Sequence, residues 1–203
     1  MAENPGNPYV TIVSGLPRSG TSMMMQMLAA GGMPVLADDA RAPDPDNPRG
    51  YFEFGPAKRT ARDGRWVGGA VGKAVKVVHL LVPALPAGYE YRVVFMCRDV
   101  REVLASQAEM LRRLGRRGAD LRPARLAEVF AGQLRRAREW VAGRAHFAAL
   151  DVDYGQVVAD PAGQAARVNR FLDGRLDEAR MAAAVDPALY RRRGGRDPGP
   201  AGW

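Results

Sequence analysis

Gly15-Leu16-Pro17-Arg18-Ser19-Gly20-Thr21-Ser22 is the stretch of this chain richest in chemistry. Two glycines permit a tight turn whose backbone N–H groups point at an anion. Thr21 and Ser22 offer hydroxyl donors, and Arg18 places a positive charge inside the loop. The spacing is that of a Walker A loop, but Thr21 stands where the lysine belongs. ATP and GTP enzymes with such loops use that lysine with magnesium to neutralise the outer phosphates. A loop without it suits an anion carrying less charge than a triphosphate. A second constellation lies at Arg98 and Ser106, eight residues apart after the apolar run 93–97. Eight residues make about two helical turns. An arginine at a strand end and a serine on the next helix can hold one phosphate together. Spacing alone also leaves Arg98 within reach of Asp99 and Glu102.

Both constellations need a strand before them and a helix after. Residues 9–13 are a β-branched run and read as a buried strand, with a glycine-punctuated turn at 14–20 and a helix over 21–30. Further strands are expected at 73–81, 91–97 and 147–152. Helices are expected at 56–66, 100–114, 126–142, 161–172 and 176–185, with an irregular Asp/Pro/Arg-rich loop at 37–50. Strands alternating with helices imply an α/β, three-layer fold with a mostly parallel central sheet and helices on both faces. No repeat and no linker interrupts the chain, so one domain over 1–203 is expected, with 191–203 a flexible basic tail.

Composition bounds the rest. The net charge is +8, and all but Lys58, Lys73 and Lys76 of the 30 basic residues are arginine. That balance suits an anionic partner: a nucleotide, phosphate or sulfate, nucleic acid, or a lipid surface. Aromatic content of 7% argues against a nucleic-acid platform. One cysteine, Cys97, gives no disulfide framework and points to a reducing, cytoplasmic setting. The first residues lack the pattern of a signal peptide, and no run of about 18 apolar residues spans a membrane.

Pro17-Arg18-Ser19-Gly20-Thr21-Ser22 resembles the 5′-phosphosulfate loop of the sulfotransferase family, in the arginine version of bacterial and tyrosylprotein members. Arg98 and Ser106 resemble the same family's 3′-phosphate motif, and the likeness runs from about residue 10 to 172. It implies a P-loop-type fold and 3′-phosphoadenosine-5′-phosphosulfate (PAPS) as co-substrate, with no metal. By the resemblance, Pro17, Arg18, Ser19, Gly20, Thr21 and Ser22 hold the 5′ end, and Arg18 stabilises charge on the bridging oxygen. Tyr154, seven residues before Pro161, matches a tyrosine that lies near the adenine, although the acidic pair after it is absent. Met23 stands where some members have an adenine-stacking tryptophan. Residues 191–194 resemble a basic segment that closes over the 3′-phosphate.

Transfer to a hydroxyl or amine needs a proton acceptor beside the loop. His79, in Lys76-Val77-Val78-His79, resembles a Lys-Thr-His segment with one residue inserted, and one step along a strand reverses a side chain's face. Asp39 lies 21 residues after Arg18, where tyrosylprotein sulfotransferases place a glutamate. Asp38 and Glu53 are further candidates. The acceptor is expected to be a small molecule, glycan or peptide. Two other functions fit parts of the pattern: an NTP-dependent phosphotransferase, and a non-catalytic nucleotide- or RNA-binding module.

Overall fold

The computed structural model describes residues 8–38, 42, 44, 47, 49–116, 118 and 121–189. Its strands are β1 (Tyr9–Gly15), β2 (Val35–Leu36), β3 (Ala74–Lys76), β4 (Glu90–Cys97) and β5 (Phe147–Asp153). All pairings are parallel, and the sheet order is β2-β3-β1-β4-β5. The helices are α1 (Thr21–Ala30), α2 (Val100–Arg113), α3 (Pro123–Ala142), α4 (Tyr154–Ala159), α5 (Pro161–Phe171) and α6 (Glu178–Ala183).

Strands buried on both faces are apolar at successive positions, because alternate side chains go to opposite cores. In β1 and β4, Val13, Val94 and Met96 face one core with Met24, Leu28, Val168 and Met181. Val10, Ile12, Val93 and Phe95 face the other, with Val82, Ala137 and Val141. Helices α1, α5 and α6 cover the first face. The second is covered by α3 and by short 3-10 turns at Gly55–Arg59, Arg65–Ala70 and His79–Ala84. The expected α/β architecture is therefore present, and its sheet is wholly parallel. Among the described residues no helix is long and apolar enough to cross a membrane.

Some boundaries differ from expectation. The strand expected over 73–81 ends at Lys76. Its partner β1 turns away at Gly15, and the last rung runs from the Val77 N–H to the Val13 carbonyl at 3.0 Å. His79 therefore sits in a 3-10 turn, not on a strand. The helix expected over 56–66 is replaced by two 3-10 turns, one on each side of Gly64. α3 starts three residues early because Pro123 fits the first helical position. β2 and α4 are too short to show a period and were not expected. Asp39 and the tail from residue 190 onward lie outside the described residues.

Candidate active site

β1 and β4 lie side by side at the centre of the sheet, and both turn into helices at their carboxyl ends, where parallel folds bind ligands. The two glycines of the first turn are each required by a neighbour. A Cβ on Gly15 would lie 2.7 Å from the Met96 carbonyl of β4. One on Gly20, at φ 98°, would lie 2.4 Å from the Tyr154 ring. Between them Pro17 and Arg18 form the centre of a turn closed by the Ser19 N–H on the Leu16 carbonyl at 3.1 Å. Arg18 takes φ 73°, unfavourable for a residue with a Cβ. Its carbonyl accepts from Arg98 Nη1 at 3.1 Å, which ties the two constellations together.

α1 opens without a side-chain cap and without an acidic residue in its first turn. Its first backbone bond runs from the Met24 N–H to the Gly20 carbonyl at 3.1 Å. The N–H groups of Thr21, Ser22 and Met23 are left over by that pattern, and the helix dipole adds positive potential there. This is one anion cradle.

The second adjoins it. Arg98 leaves the end of β4 and is nearly buried, with its Nε 2.9 Å from Glu102 Oε2. Its guanidinium stacks 4.6 Å from the centre of the Tyr154 ring. Of the two acids within reach, Glu102 pairs with Arg98, while Asp99 caps α2 by accepting from the Arg101 N–H at 2.7 Å. Ser106 Oγ accepts from Arg18 Nε at 3.0 Å. Burial pushes the Tyr154 phenol up, against a smaller opposing pull from Arg98. A buried, neutral phenol ring beside a guanidinium is a suitable wall for a base or ribose.

Both cradles open into one cavity of about 500 Å³. Pro17, Arg18, Gly20, Thr21, Ser22, Arg98, Ser106 and Tyr154 all line it. Ser19 does not: it is buried, and its hydroxyl has no hydrogen-bond partner among the described residues. His79 is also outside the lining. It is buried, with Nδ1–H donating to the Gly15 carbonyl at 3.1 Å and Nε2 lying 3.3 Å from Gln133 Oε1. Asp38 caps the 3-10 turn at Gly55, whose N–H it accepts. Glu53 lines the cavity and pairs with Lys58 at 2.5 Å. Glu109 lines it too, but hydrogen bonds from Arg112 and then Arg113 hold its carboxyl down to about 2. So weak a base accepts protons poorly near neutrality. Cys97 is pushed up to about 11 by burial, which keeps its thiol protonated and unreactive.

Lys76 is the residue the sequence reading passed over. It ends β3 and lines the cavity, donates to the Tyr51 carbonyl, and lies 3.4 Å from Ser22 Oγ. A lysine thus reaches the anion loop from a neighbouring strand, although none stands in the loop itself. The available signal was compositional. Only three lysines occur in a chain of arginines, and Lys58 and Lys76 both line this cavity.

No protein-family model matches the sequence, and no curated protein does. Solved structures do. A sulfotransferase of Mycobacterium tuberculosis, STF1, is 21% identical with a TM-score of 0.56, over 87% of this chain and 71% of that one. The sulfotransferase domain of the Synechococcus olefin synthase is 16% identical with a TM-score of 0.51, over 98% and 93%. Retinol dehydratase, solved with androsterone and the inactive cofactor PAP, is 20% identical with a TM-score of 0.53, over 89% and 64%. With its wholly parallel sheet and its loop between β1 and α1, the chain has the fold of the sulfotransferases.

Proposed function

We propose that this protein moves a sulfuryl group from PAPS to a hydroxyl or amine. One observation carries the reading. Two anion cradles, one on β1–α1 and one on β4–α2, open into the same cavity and are joined by the Arg18–Ser106 and Arg98–Arg18 hydrogen bonds. A nucleotide with phosphate at both the 5′ and 3′ positions presents two anionic ends to such a pair.

In this reading Arg98 and Ser106 hold the 3′-phosphate, and the Tyr154 ring flanks the adenosine. The α1 N-terminus, Thr21 and Ser22 hold the 5′ end. Sulfuryl transfer is an in-line displacement, by analogy with phosphoryl transfer. The S–O bond to the bridging oxygen breaks as the bond to the acceptor forms, and the bridging oxygen takes up negative charge. Arg18 and Lys76 are the cations best placed to stabilise that charge. Glu53 is the proton acceptor we favour, since it lines the cavity, which Asp38 and His79 do not. His79 would serve the loop from behind by fixing the Gly15 carbonyl. The test is calorimetry with 3′,5′-adenosine bisphosphate (PAP) against ATP with magnesium, followed by turnover of labelled PAPS over an acceptor panel. Binding of PAP without magnesium is expected. Tight binding of magnesium–ATP with none of PAP would move the assignment to the phosphotransferases.

A further inference from the structure

Among the described residues five large apolar side chains are exposed: Val71, Val78, Leu80, Leu114 and Leu121. Val71 precedes β3, at the amino end of the sheet. The other four lie in segments that follow the carboxyl end of β3 and the β4–α2 unit. Val78 lines the cavity, and Leu80 lies beside Leu81, which also lines it. Leu114 caps the end of α2, one turn beyond Met110, and Met110 and Arg113 line the cavity as well. Leu121 lies on the connection from α2 to α3.

The same connection is strongly basic. Residues 109–125 carry six arginines against Glu109 and Asp120, and no aromatic residue. Arg112 and Arg113 share Glu109, and Arg125 pairs with exposed Glu128. Arg116 and Arg122 are exposed and make no ion pair among the described residues. Scattered exposed apolar residues are ordinary. Leucines interleaved with exposed arginines, at one end of a helix pair and beside residues that line the cavity, are a different pattern. A soluble polyanion would reward the arginines and leave the leucines in water. Single-stranded nucleic acid would call for aromatic stacking partners, which this segment lacks. An anionic bilayer rewards both residue types, with apolar side chains entering the acyl boundary and guanidinium groups meeting headgroup phosphates.

We propose that the end of the α2–α3 helix pair docks on an anionic lipid surface. Docking there brings the cavity to the interface, so a hydroxyl or amine on a lipid-borne molecule is the acceptor class the site would meet. The acceptor half rests on the transferase reading above; the docking half does not.

The experiment is flotation of the full chain with phosphatidylcholine vesicles, with and without phosphatidylglycerol, at physiological salt. Partitioning onto the phosphatidylglycerol vesicles is expected. Replacing Arg116→Ala and Arg122→Ala together should weaken it by roughly 25-fold, at about fivefold per arginine. The pair Leu114→Ser and Leu121→Ser should abolish it, with thermal midpoints confirming that both variants fold. Failure of the wild type to float overturns docking, as does flotation unchanged by the leucine pair. Full displacement from the vesicles by single-stranded RNA would assign the surface to nucleic acid instead, and also overturns it. A chain that floats but does not bind PAP would sink the transferase reading and leave docking standing.

Discussion

The two ends of the cavity are built from different material. The end proposed to bind the donor uses two strand–turn–helix units, β1–α1 and β4–α2, joined by the pairing of β1 with β4. The end proposed to take the acceptor uses residues 51–58, which include a 3-10 turn, and the last turns of α2. Both ends carry backbone strain, since Arg18 and Phe52 take φ of 73° and 50°. At the donor end the strain is locked by Arg98 on the Arg18 carbonyl. At the acceptor end it adjoins Tyr51 and Glu53, held from outside by Lys76 on the Tyr51 carbonyl and by Lys58 on Glu53. Rigid donor binding beside a loop-built acceptor wall suits one shared donor and a specialised acceptor.

That contrast can be broken in order of effect. Arg18→Ala should cost about 10²- to 10³-fold in turnover of labelled PAPS, the scale for losing one transition-state charge contact. Full activity would remove the donor end from the chemistry. Glu53→Gln should cost about 10²-fold in turnover while leaving PAP affinity unchanged. A matching loss of PAP affinity would place Glu53 at the donor end instead. Arg98→Lys should weaken PAP about 10-fold while leaving adenosine 5′-monophosphate nearly unaffected, since lysine loses the two-pronged geometry on phosphate. Equal weakening of both nucleotides would dissolve the second cradle. The smallest catalytic effect belongs to His79→Ala. It should lower stability by about 1–3 kcal/mol, the scale for a lost buried hydrogen bond, and leave the pH profile of turnover in place. Loss of a profile limb near neutrality would return the base role to His79.

The same contrast explains what the sequence could disclose. The donor end was legible because its signals are local: a β-branched strand, glycines at fixed spacing, and Arg98 and Ser106 on one strand–helix unit. Even there the turn hid a detail, for Ser19 is buried while its neighbours line the cavity. The acceptor end was less legible because its contacts are long-range. Lys76 reaches Ser22 and Tyr51 only through β3 pairing with β1. His79 looked like a strand-end residue because Val75, Val77 and Val78 read as one β-branched run. No sequence window records that β1 turns away at Gly15 and leaves that run without a partner. Glu53 and Asp38 were equivalent as acids in one loop; their separation came from the turn at Gly55, which takes Asp38 as its cap.

Calorimetric titration of the wild type with PAP, adenosine 5′-monophosphate and adenosine 3′-monophosphate probes the joined cradles most directly. The account predicts that PAP binds far more tightly than either monophosphate, and that both monophosphates compete with it for one site. Binding of PAP no tighter than adenosine 5′-monophosphate would mean that Arg98 and Ser106 grip no phosphate, and would contradict the account.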